Sequence, residues 1–330
     1  MRKIRTRALS LLLTLVMALG LLPGTAWAEE GGTTSLPEFE SWESMGTDKA
    51  FKISSEESLK ALANAVKDDD ASGTYNMSGI TFYLANDITL SSDWTPIGNV
   101  AYPSDGFAGT FDGNGHTISG MNINSSSSGG VGLFGTINGA TIKNLKVEGT
   151  VSATKSGYVG GIVGKTSGTV TIERCSFSGS VQSSKTGVNA GAGGIIGRVN
   201  SGSVCVSGCA NTADIRGGAA AGILGYCSAN GTSIENCYST GTISGSNRAG
   251  GIVGQVYSTT PIRNCFTTSD AISGFNGELF NCFDNSDLPI DASLLGDAFT
   301  TDAEGNVILV WQAGNTPKPP EPSISIRSTN

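Results

Sequence analysis

A motif of two glycines that flank two apolar residues occurs five times in this chain of 330 residues. The first glycines of successive copies lie 29, 33, 28 and 29 residues apart. A near-constant period in this range is typical of repeat proteins, whose repeats stack along one axis and contact mainly their neighbours. The copies are Gly132-Leu133-Phe134-Gly135, Gly161-Ile162-Val163-Gly164, Gly194-Ile195-Ile196-Gly197, Gly222-Ile223-Leu224-Gly225 and Gly251-Ile252-Val253-Gly254.

Two further apolar clusters recur with this motif, and together they predict three strands per turn. One has the form Ile-x-Asn-Cys, as in Ile234-Glu235-Asn236-Cys237, and the other is Gly-x-Val/Ile, as in Gly241-Thr242-Ile243. Glycine, serine and asparagine separate these short β-prone runs. Equivalent strands of successive turns would pair in parallel about 4.8 Å apart. We therefore predict an all-β parallel β-helix, or a closely related β-solenoid, of about five to seven coils.

Four cysteines occupy one position of the repeat, and leucine fills it in the first repeat. Leu145 can replace an inward apolar cysteine, but it cannot replace a metal ligand or a disulfide partner. We therefore predict a buried, reduced cysteine ladder. Zinc is disfavoured because His116 is the one histidine and Cys205 and Cys209 form the one close pair, while a Cys205–Cys227 bridge stays open. The ladder residues are Cys175, Cys209, Cys237 and Cys265.

The residue before this ladder position predicts a corner of the coil. It is asparagine at Asn144, Asn236 and Asn264, and glycine at Gly208. Both residue types tolerate left-handed backbone angles. We expect the asparagine side chains to bond backbone groups at this corner, although Arg174 departs from the pattern.

The residue after the ladder cysteine is aromatic in the last three clusters, at Tyr238, Phe266 and Phe283. If the cysteine points inward, the next residue points outward. These aromatics would then form a sugar- or protein-binding platform. The alternative is that the C-terminal segment around residues 294–299 covers them, because large exposed aromatic patches are unusual on monomers. Solvent exposure decides between the two. The longest repeat also predicts a protruding loop over Ser183 to Ala192.

The sequence before the repeats predicts a short capping helix over residues 55–67. Ser54 and Glu57 fit a capping box, and Leu59 and Leu62 follow at helical spacing. A cap is expected there because the end of a β-solenoid exposes unpaired strand edges. Residues 294–299 and 307–311 are expected to close the other end.

The N-terminus has the pattern of a secretory signal peptide. Arg2 and Lys3 precede an apolar run from Leu11 to Leu22, and Ala26-Trp27-Ala28 fits the small-x-small cleavage rule. The apolar run is too short for a comfortable membrane span. We therefore expect a secreted, extracellular protein, associated with the cell surface in one interpretation. The predicted segments are a signal peptide at 1–28, a flexible segment at 29–49, the capped solenoid at 50–315 and a Pro-rich linker or tail at 316–330.

The stretch from Gly222 to Ser244 resembles the GLUG-motif repeat family, and the resemblance extends over roughly residues 50–312. Gly109 to Ile118 also looks like segments that precede such repeats in secreted proteins. The family includes surface adhesins and non-catalytic regions of IgA-specific metallopeptidases. The resemblance implies extracellular display and interaction, and it transfers no catalytic residue.

Little in the sequence is suited to catalysis. His116 is the only histidine, so the His-Glu-x-x-His zinc-peptidase motif is absent and a Ser-His-Asp triad would depend on this one residue. The carboxylates are scattered rather than paired. We expect no catalytic residue, no metal site and no cofactor.

The charge of the chain argues against a nucleic-acid or anionic-membrane partner. It has 20 basic and 28 acidic residues, and no basic run follows the signal peptide. We predict a secreted, non-enzymatic adhesion or interaction module that binds a host or extracellular glycan or protein. The alternatives are a β-helix polysaccharide lyase or glycoside hydrolase, and a passive spacer in a larger surface protein.

Overall fold

The computed structural model describes residues 33–41, 44–66, 76–98, 106–257, 259–314 and 323–325. The predicted signal peptide and most of the predicted Pro-rich tail lie outside these residues. The chain divides into two units, of which the larger is Leu36–Pro322. In the smaller unit, β1 (Thr33–Ser35) pairs antiparallel with β26 (Ser323–Ser325).

The larger unit is built almost entirely of short strands, which confirms the all-β prediction. Its helices are α1 (Glu56–Ala65) and α2 (Ala292–Leu295), with single 3₁₀ turns at Asn285–Asp287 and Val310–Ala313. The apolar character and length that a membrane crossing requires are found in no helix of the described residues. The strands are β2 (Ala50–Ile53), β3 (Thr81–Leu84), β4 (Ile88–Thr89), β5 (Thr110–Asp112), β6 (Thr117–Ser125), β7 (Phe134–Asn138), β8 (Thr141–Ala153), β9 (Tyr158–Gly160), β10 (Val163–Ser167), β11 (Val170–Ser183), β12 (Gly191–Gly193), β13 (Ile196–Val199), β14 (Val204–Ser207), β15 (Ala210–Asn211), β16 (Asp214–Ala221), β17 (Leu224–Cys227), β18 (Ser233–Glu235), β19 (Tyr238–Ser239), β20 (Ile243–Gly250), β21 (Val253–Val256), β22 (Pro261–Thr267), β23 (Glu278–Phe283), β24 (Phe299–Thr301) and β25 (Val307–Leu309).

The strands form a parallel β-solenoid of about seven turns, as the repeat predicts. The glycine motifs run into a five-stranded sheet in the order β7-β10-β13-β17-β21, so that each turn pairs with the next. The Ile-x-Asn-Cys clusters stack in a second set of parallel pairs, with Ile142 beside Ile172 and Ile234 beside Ile262. Equivalent residues of successive turns therefore lie in columns.

Aromatic rings fill the N-terminal end of the core and extend the folded unit beyond its predicted start. Phe39 is fully buried and packs edge-on against Phe51 and Phe82, with ring centroids 5.6 and 5.1 Å away. Leu36 is also buried. The prediction of a flexible segment over residues 29–49 is therefore wrong for these residues, because the open end of the core takes up their apolar side chains.

The capping helix exists, but its start differs from the prediction by one residue. The N-cap is Ser55, whose side chain accepts a hydrogen bond from the Ser58 N–H at 3.2 Å, and Ser58 Oγ accepts one from the Ser55 N–H. Ser54 instead donates from its N–H and hydroxyl to the Glu38 carboxylate. The predicted Ser54/Glu57 capping box is therefore wrong, because the N–H and hydroxyl groups of Ser54 are already bonded to the Glu38 carboxylate.

The glycine motif brings backbones closer together than any other residue would allow. A Cβ atom on Gly194 would lie 2.1 Å from Asn211 Oδ1 and 2.3 Å from the Gly222 carbonyl oxygen. A Cβ on Gly197 would lie 2.5 Å from the Val159 nitrogen. The first glycine makes room for an inward side chain across the core, and the second lets the chain run against the strand before it.

Replacing Gly194 with alanine should therefore destabilise the fold by at least about 2 kcal/mol, because the added methyl group overpacks the core. Gly187→Ala is the matched control, since a Cβ there meets no atom within 4 Å, and it should change the free energy of unfolding by less than about 0.5 kcal/mol. Urea unfolding of both variants measures the difference. Equal stability of the two variants would contradict the close-packing argument.

Glu56 links the capping helix to the first turns in a pH-dependent way. A hydrogen bond from Lys60, followed by bonds from the Ser91 hydroxyl and N–H, lowers the pKa of Glu56 from 4.5 to about 2. The folded-state pKa lies below the ordinary value. The ionised carboxylate therefore stabilises the fold above pH 4.5, and this contribution is lost as the pH falls towards about 2.

Glu56→Gln should therefore be less stable than the wild-type protein near neutral pH, and the two unfolding midpoints should converge between pH 4.5 and about 2. Thermal unfolding over this pH range measures the effect. Glu57→Gln, at an exposed position of the same helix turn, should show no such convergence. A Glu56→Gln deficit that stays constant with pH would contradict the assignment.

Candidate binding surface

The four ladder cysteines are core residues. Cys175, Cys209, Cys237 and Cys265 are fully buried, and all seven cysteines of the chain are free. The ladder is linked between turns, since the Cys209 N–H donates to Cys237 Sγ at 3.4 Å and the Cys237 N–H donates to Cys265 Sγ at 3.4 Å. Burial raises the pKa of the Cys175 and Cys237 thiols well above the usual value. These two thiols therefore stay protonated inside the core.

The Cys205–Cys227 bridge that the sequence left open does not form. Cys205 is exposed on β14, whereas Cys227 is buried on β17, in a different sheet. Cys227 instead donates its S–H to the Ala229 carbonyl at 3.3 Å.

The corner before each ladder residue has left-handed backbone in every turn. Asn144, Asn236 and Asn264 have φ of 53°, 53° and 49°, and Arg174 and Gly208 share this geometry with φ of 50° and 59°. The asparagine amides bond side chains of neighbouring turns rather than backbone groups. Asn264 Nδ2 donates to Asn236 Oδ1 at 3.2 Å, and Asn144 Nδ2 donates to Asp112 Oδ1 at 2.9 Å. Asn264 and Asn236 bond each other because successive corners lie directly above one another, whereas Asn144 bonds the Asp112 carboxylate of the preceding turn.

Arg174 and Gly208 interrupt this amide row, and the C-terminal segment closes over the interruption. A cleft of about 260 Å³ remains there, lined in part by Glu173, Asn236 and Trp311. The Trp311 indole N–H donates to the Gly208 carbonyl at 2.9 Å, and Arg174 pairs with Glu173 at 2.9 Å. The polar groups of these two pairs are therefore already bonded within the protein. The cleft lies at the contact through which the C-terminal segment packs on the corner.

The predicted aromatic platform is covered, so the prediction of Tyr238, Phe266 and Phe283 as a binding surface is wrong. Tyr238 and Phe266 stack with centroids 5.1 Å apart, but each is only 4% exposed. Phe299 packs edge-on against Phe266 at 5.8 Å, and Phe283 packs partly buried against the same cluster. The remaining buried cluster members are Ala210, Ala292, Leu295 and Leu309. The rings do lie outside the solenoid core, but they form the apolar contact that holds the C-terminal cap.

Phe266→Ala should therefore release this cap and destabilise the protein by about 3–5 kcal/mol, the usual cost of removing a buried ring. Limited proteolysis and urea unfolding measure the two effects. Phe280→Ala removes a ring that is 47% exposed and stacks on Arg263, so it should cost less than about 1 kcal/mol. Equal proteolytic resistance of the cap in both variants would show that the ring contact does not hold it.

A different surface combines cations and aromatic rings. The residue directly after the second glycine of the motif is Lys165, Arg198, Tyr226 and Gln255 in successive turns, and strand register aligns these four in one column. A neighbouring column carries Tyr158 and Arg248, with the small residues Gly191 and Ala219 between them. The two columns bring long cationic side chains next to aromatic rings.

These side chains stack in an unbroken series. The Arg198 guanidinium lies between two rings, 4.9 Å from the Tyr158 centroid and 4.7 Å from the Tyr226 centroid. Lys165 lies 5.6 Å from Tyr158. The rings of Tyr226, Tyr257 and Phe275 follow at 5.8 and 6.1 Å, and Arg248 lies 4.8 Å from Phe275. We call this set the cation–aromatic face; its members are Tyr158, Lys165, Arg198, Tyr226, Arg248, Tyr257 and Phe275.

The predicted loop borders this face. Residues 184–189, between β11 and β12, are exposed, and they lie inside the predicted range of Ser183 to Ala192. Arg198 Nη1 donates to the Asn189 carbonyl at 3.4 Å. Asn247 Nδ2 donates to the Thr186 carbonyl. The loop therefore helps to fix Arg198, and it forms one edge of the face.

The cations of the face have no carboxylate partner within the described residues. The ion pairs of the described residues involve no member of the face. The Nε atoms of Arg198 and Arg248 are buried without a hydrogen-bond partner. Burial and the charge of Arg198 lower the pKa of Lys165. The face therefore presents positive charge that the protein does not neutralise.

This face shows neither in the net charge of the whole chain nor in any basic run, and it was therefore not predicted from the sequence. Residues 154–269 contain eight basic and three acidic residues, although the chain as a whole has a net charge of −8. The three acidic residues lie on other columns: Glu173, Asp214 and Glu235. Two features of the sequence could have indicated the face: the residue type directly after the second glycine of each motif, and the local excess of basic residues.

His116, the only histidine of the chain, lies outside the cation–aromatic face. His116 Nδ1 lies 3.1 Å from Asp87 Oδ1, but its Nε2 has no hydrogen-bond partner, so no serine hydroxyl completes a triad there. No group of three or more histidine, cysteine, aspartate or glutamate residues is placed to hold a metal ion within the part of the chain that the structure describes.

Comparison with known proteins supports the fold and leaves the family open. No family model matches the chain. Halomucin of Haloquadratum walsbyi is 30% identical over 127 residues, which is 36% of this chain and 1% of halomucin. The crystal structure of a putative immunoglobulin A1 protease from Bacteroides ovatus aligns with a TM-score of 0.55 and 17% identity, covering 79% of this chain and 92% of that one. At this identity the likeness shows a shared fold.

Proposed function

We propose that this chain is a non-enzymatic interaction module of an extracellular protein, and that the cation–aromatic face is its binding surface. The observation that carries the proposal is the set of stacked cations without carboxylate partners, in a chain that is acidic overall. A cationic group that the fold does not neutralise is available to a ligand of opposite charge.

Several features support an extracellular binding role rather than a catalytic one. The predicted signal peptide favours secretion, and the GLUG-like repeats resemble those of surface proteins. The matched halomucin segment is a small part of a much longer protein, which fits a module that is repeated or combined with others. On the cation–aromatic face itself no aspartate, glutamate or histidine is present to act as general acid or base.

The test is a binding screen of the mature chain against extracellular glycans and proteins. The informative variant is Arg198→Gln with Arg248→Gln, which removes two cations of the face. Arg263→Gln is the matched control, because Arg263 also stacks on a ring, at 4.6 Å from Phe280, but lies outside the face. We expect the wild-type protein and the control to bind a common ligand, and the double variant to bind at least about tenfold more weakly.

Three outcomes would contradict the proposal. Equal binding by the double variant would place the site elsewhere. Release of sugar from a glycan would favour the lyase or hydrolase alternative. Binding to nothing in the screen would favour the spacer.

A further inference from the structure

We propose that the ligand of the cation–aromatic face is an acidic glycan, a sugar chain with carboxylates, that lies along the solenoid axis. This inference rests on the proposed function and adds the chemical class and direction of the ligand. Three features of the face point to such a ligand: the direction in which the cations are arranged, the fixed orientation of Arg198 and the exposed ring of Tyr257.

The cations are arranged along the axis of the solenoid. Lys165 and Arg198 occupy the same column on successive turns, and Arg248 lies further along, beside the turn of Gln255. Successive turns of a parallel sheet are about 4.8 Å apart. A linear ligand that crosses the strands would therefore meet one cation or ring after another, whereas a ligand that runs along a single strand would meet one.

Arg198 is held in one orientation by its neighbours. Rings on both of its faces and the Asn189 carbonyl at 3.4 Å fix the guanidinium. A guanidinium offers planar paired donors that match a carboxylate, and little freedom is lost when an already ordered side chain binds. Tyr226, only 4% exposed, provides one of these two rings.

The rings favour a sugar over other anions. Tyr257 is 54% exposed, and Phe275 and Tyr158 are half-buried beside the cations. An exposed ring can pack on the apolar face of a sugar while its neighbours bind the acidic groups. A peptide that binds by strand addition would instead need an unpaired strand edge, and the strands beneath this face are paired on both sides from β10 to β17.

The number of cations argues against a nucleic acid. Duplex DNA carries one charge per about 1.7 Å, and its binding typically neutralises several phosphates at once. The face offers Lys165, Arg198 and Arg248, with Lys185 on the bordering loop, which are too few to neutralise the phosphates of a duplex. A glycan with one carboxylate on each sugar, or on every second sugar, needs fewer cations.

The experiment uses the mature chain and three carboxylated glycans: polygalacturonate, hyaluronan and polysialic acid. Each is compared with its methyl-esterified form, which keeps the sugars and removes the charge. We expect at least one acidic glycan to bind, its ester to bind at least about tenfold more weakly, and affinity to fall as salt rises. Arg198→Gln should lose most of the binding, Arg198→Lys should lose part of it, and Arg263→Gln should bind as the wild-type protein does.

The outcomes separate this inference from the proposed function. If none of the acidic glycans binds, or if the esters bind equally well, the ligand class is wrong. Tighter binding of a single-stranded oligonucleotide or an acidic peptide would also overturn it. In each of these cases, a screen ligand that still depends on Arg198 and Arg248 would leave the proposed function standing. Since Arg198→Gln could disturb its neighbours, Lys165→Gln at the end of the series serves as a second variant and should weaken binding without changing the unfolding curve.

Discussion

The close approach of backbones at the repeated glycine motif is the constraint on which the rest of the structure depends. The first glycine of four of the five motifs faces an inward side chain from the far side of the core, at a distance that leaves no space for a Cβ. These facing residues are Phe177, Asn211, Ser239 and Thr267 for Gly161, Gly194, Gly222 and Gly251. The polar ones are satisfied internally, since Asn211 Nδ2 donates to Ser239 Oγ at 3.2 Å and Thr267 Oγ1 donates to the Ser239 carbonyl at 2.9 Å. The glycines therefore permit a narrow cross-section whose interior accepts side chains of different size and polarity at the facing position.

Strict stacking of this cross-section also creates the candidate binding surface. Because the turns keep their register, the residue after each second glycine reaches the same side of the molecule in every turn. This column holds Lys165, Arg198 and Tyr226 in series. The same repetition explains why the corner amides and the buried thiols form rows. A repeated fold thus converts single residue choices into extended surfaces.

Local and periodic features could be predicted from the sequence, whereas long-range coverage could not. The solenoid followed from the period of the glycine motif, and the left-handed corners followed from asparagine and glycine at one position. The burial of Tyr238 and Phe266 depends on Phe299 and Leu295, which fold back from a later, non-repeating segment. The cation–aromatic face depends on two columns whose separation along the chain reveals no contact, as between Tyr158 and Arg198. Likewise, Ser54 lost its predicted capping role to Glu38, a partner outside the helix.

The central claim, that close-packed turns at the glycine motif hold the solenoid together, is tested most directly by native-state hydrogen exchange. The Val163 N–H donates to the Ile195 carbonyl and the Ile196 N–H donates to the Ile223 carbonyl, both at 2.8 Å, between adjacent turns. We predict that these two amides exchange only through global unfolding, with the free energy measured by urea, while the Lys185 amide in the exposed loop exchanges by local opening. Exchange of Val163 and Ile196 at rates close to that of Lys185 would contradict the account.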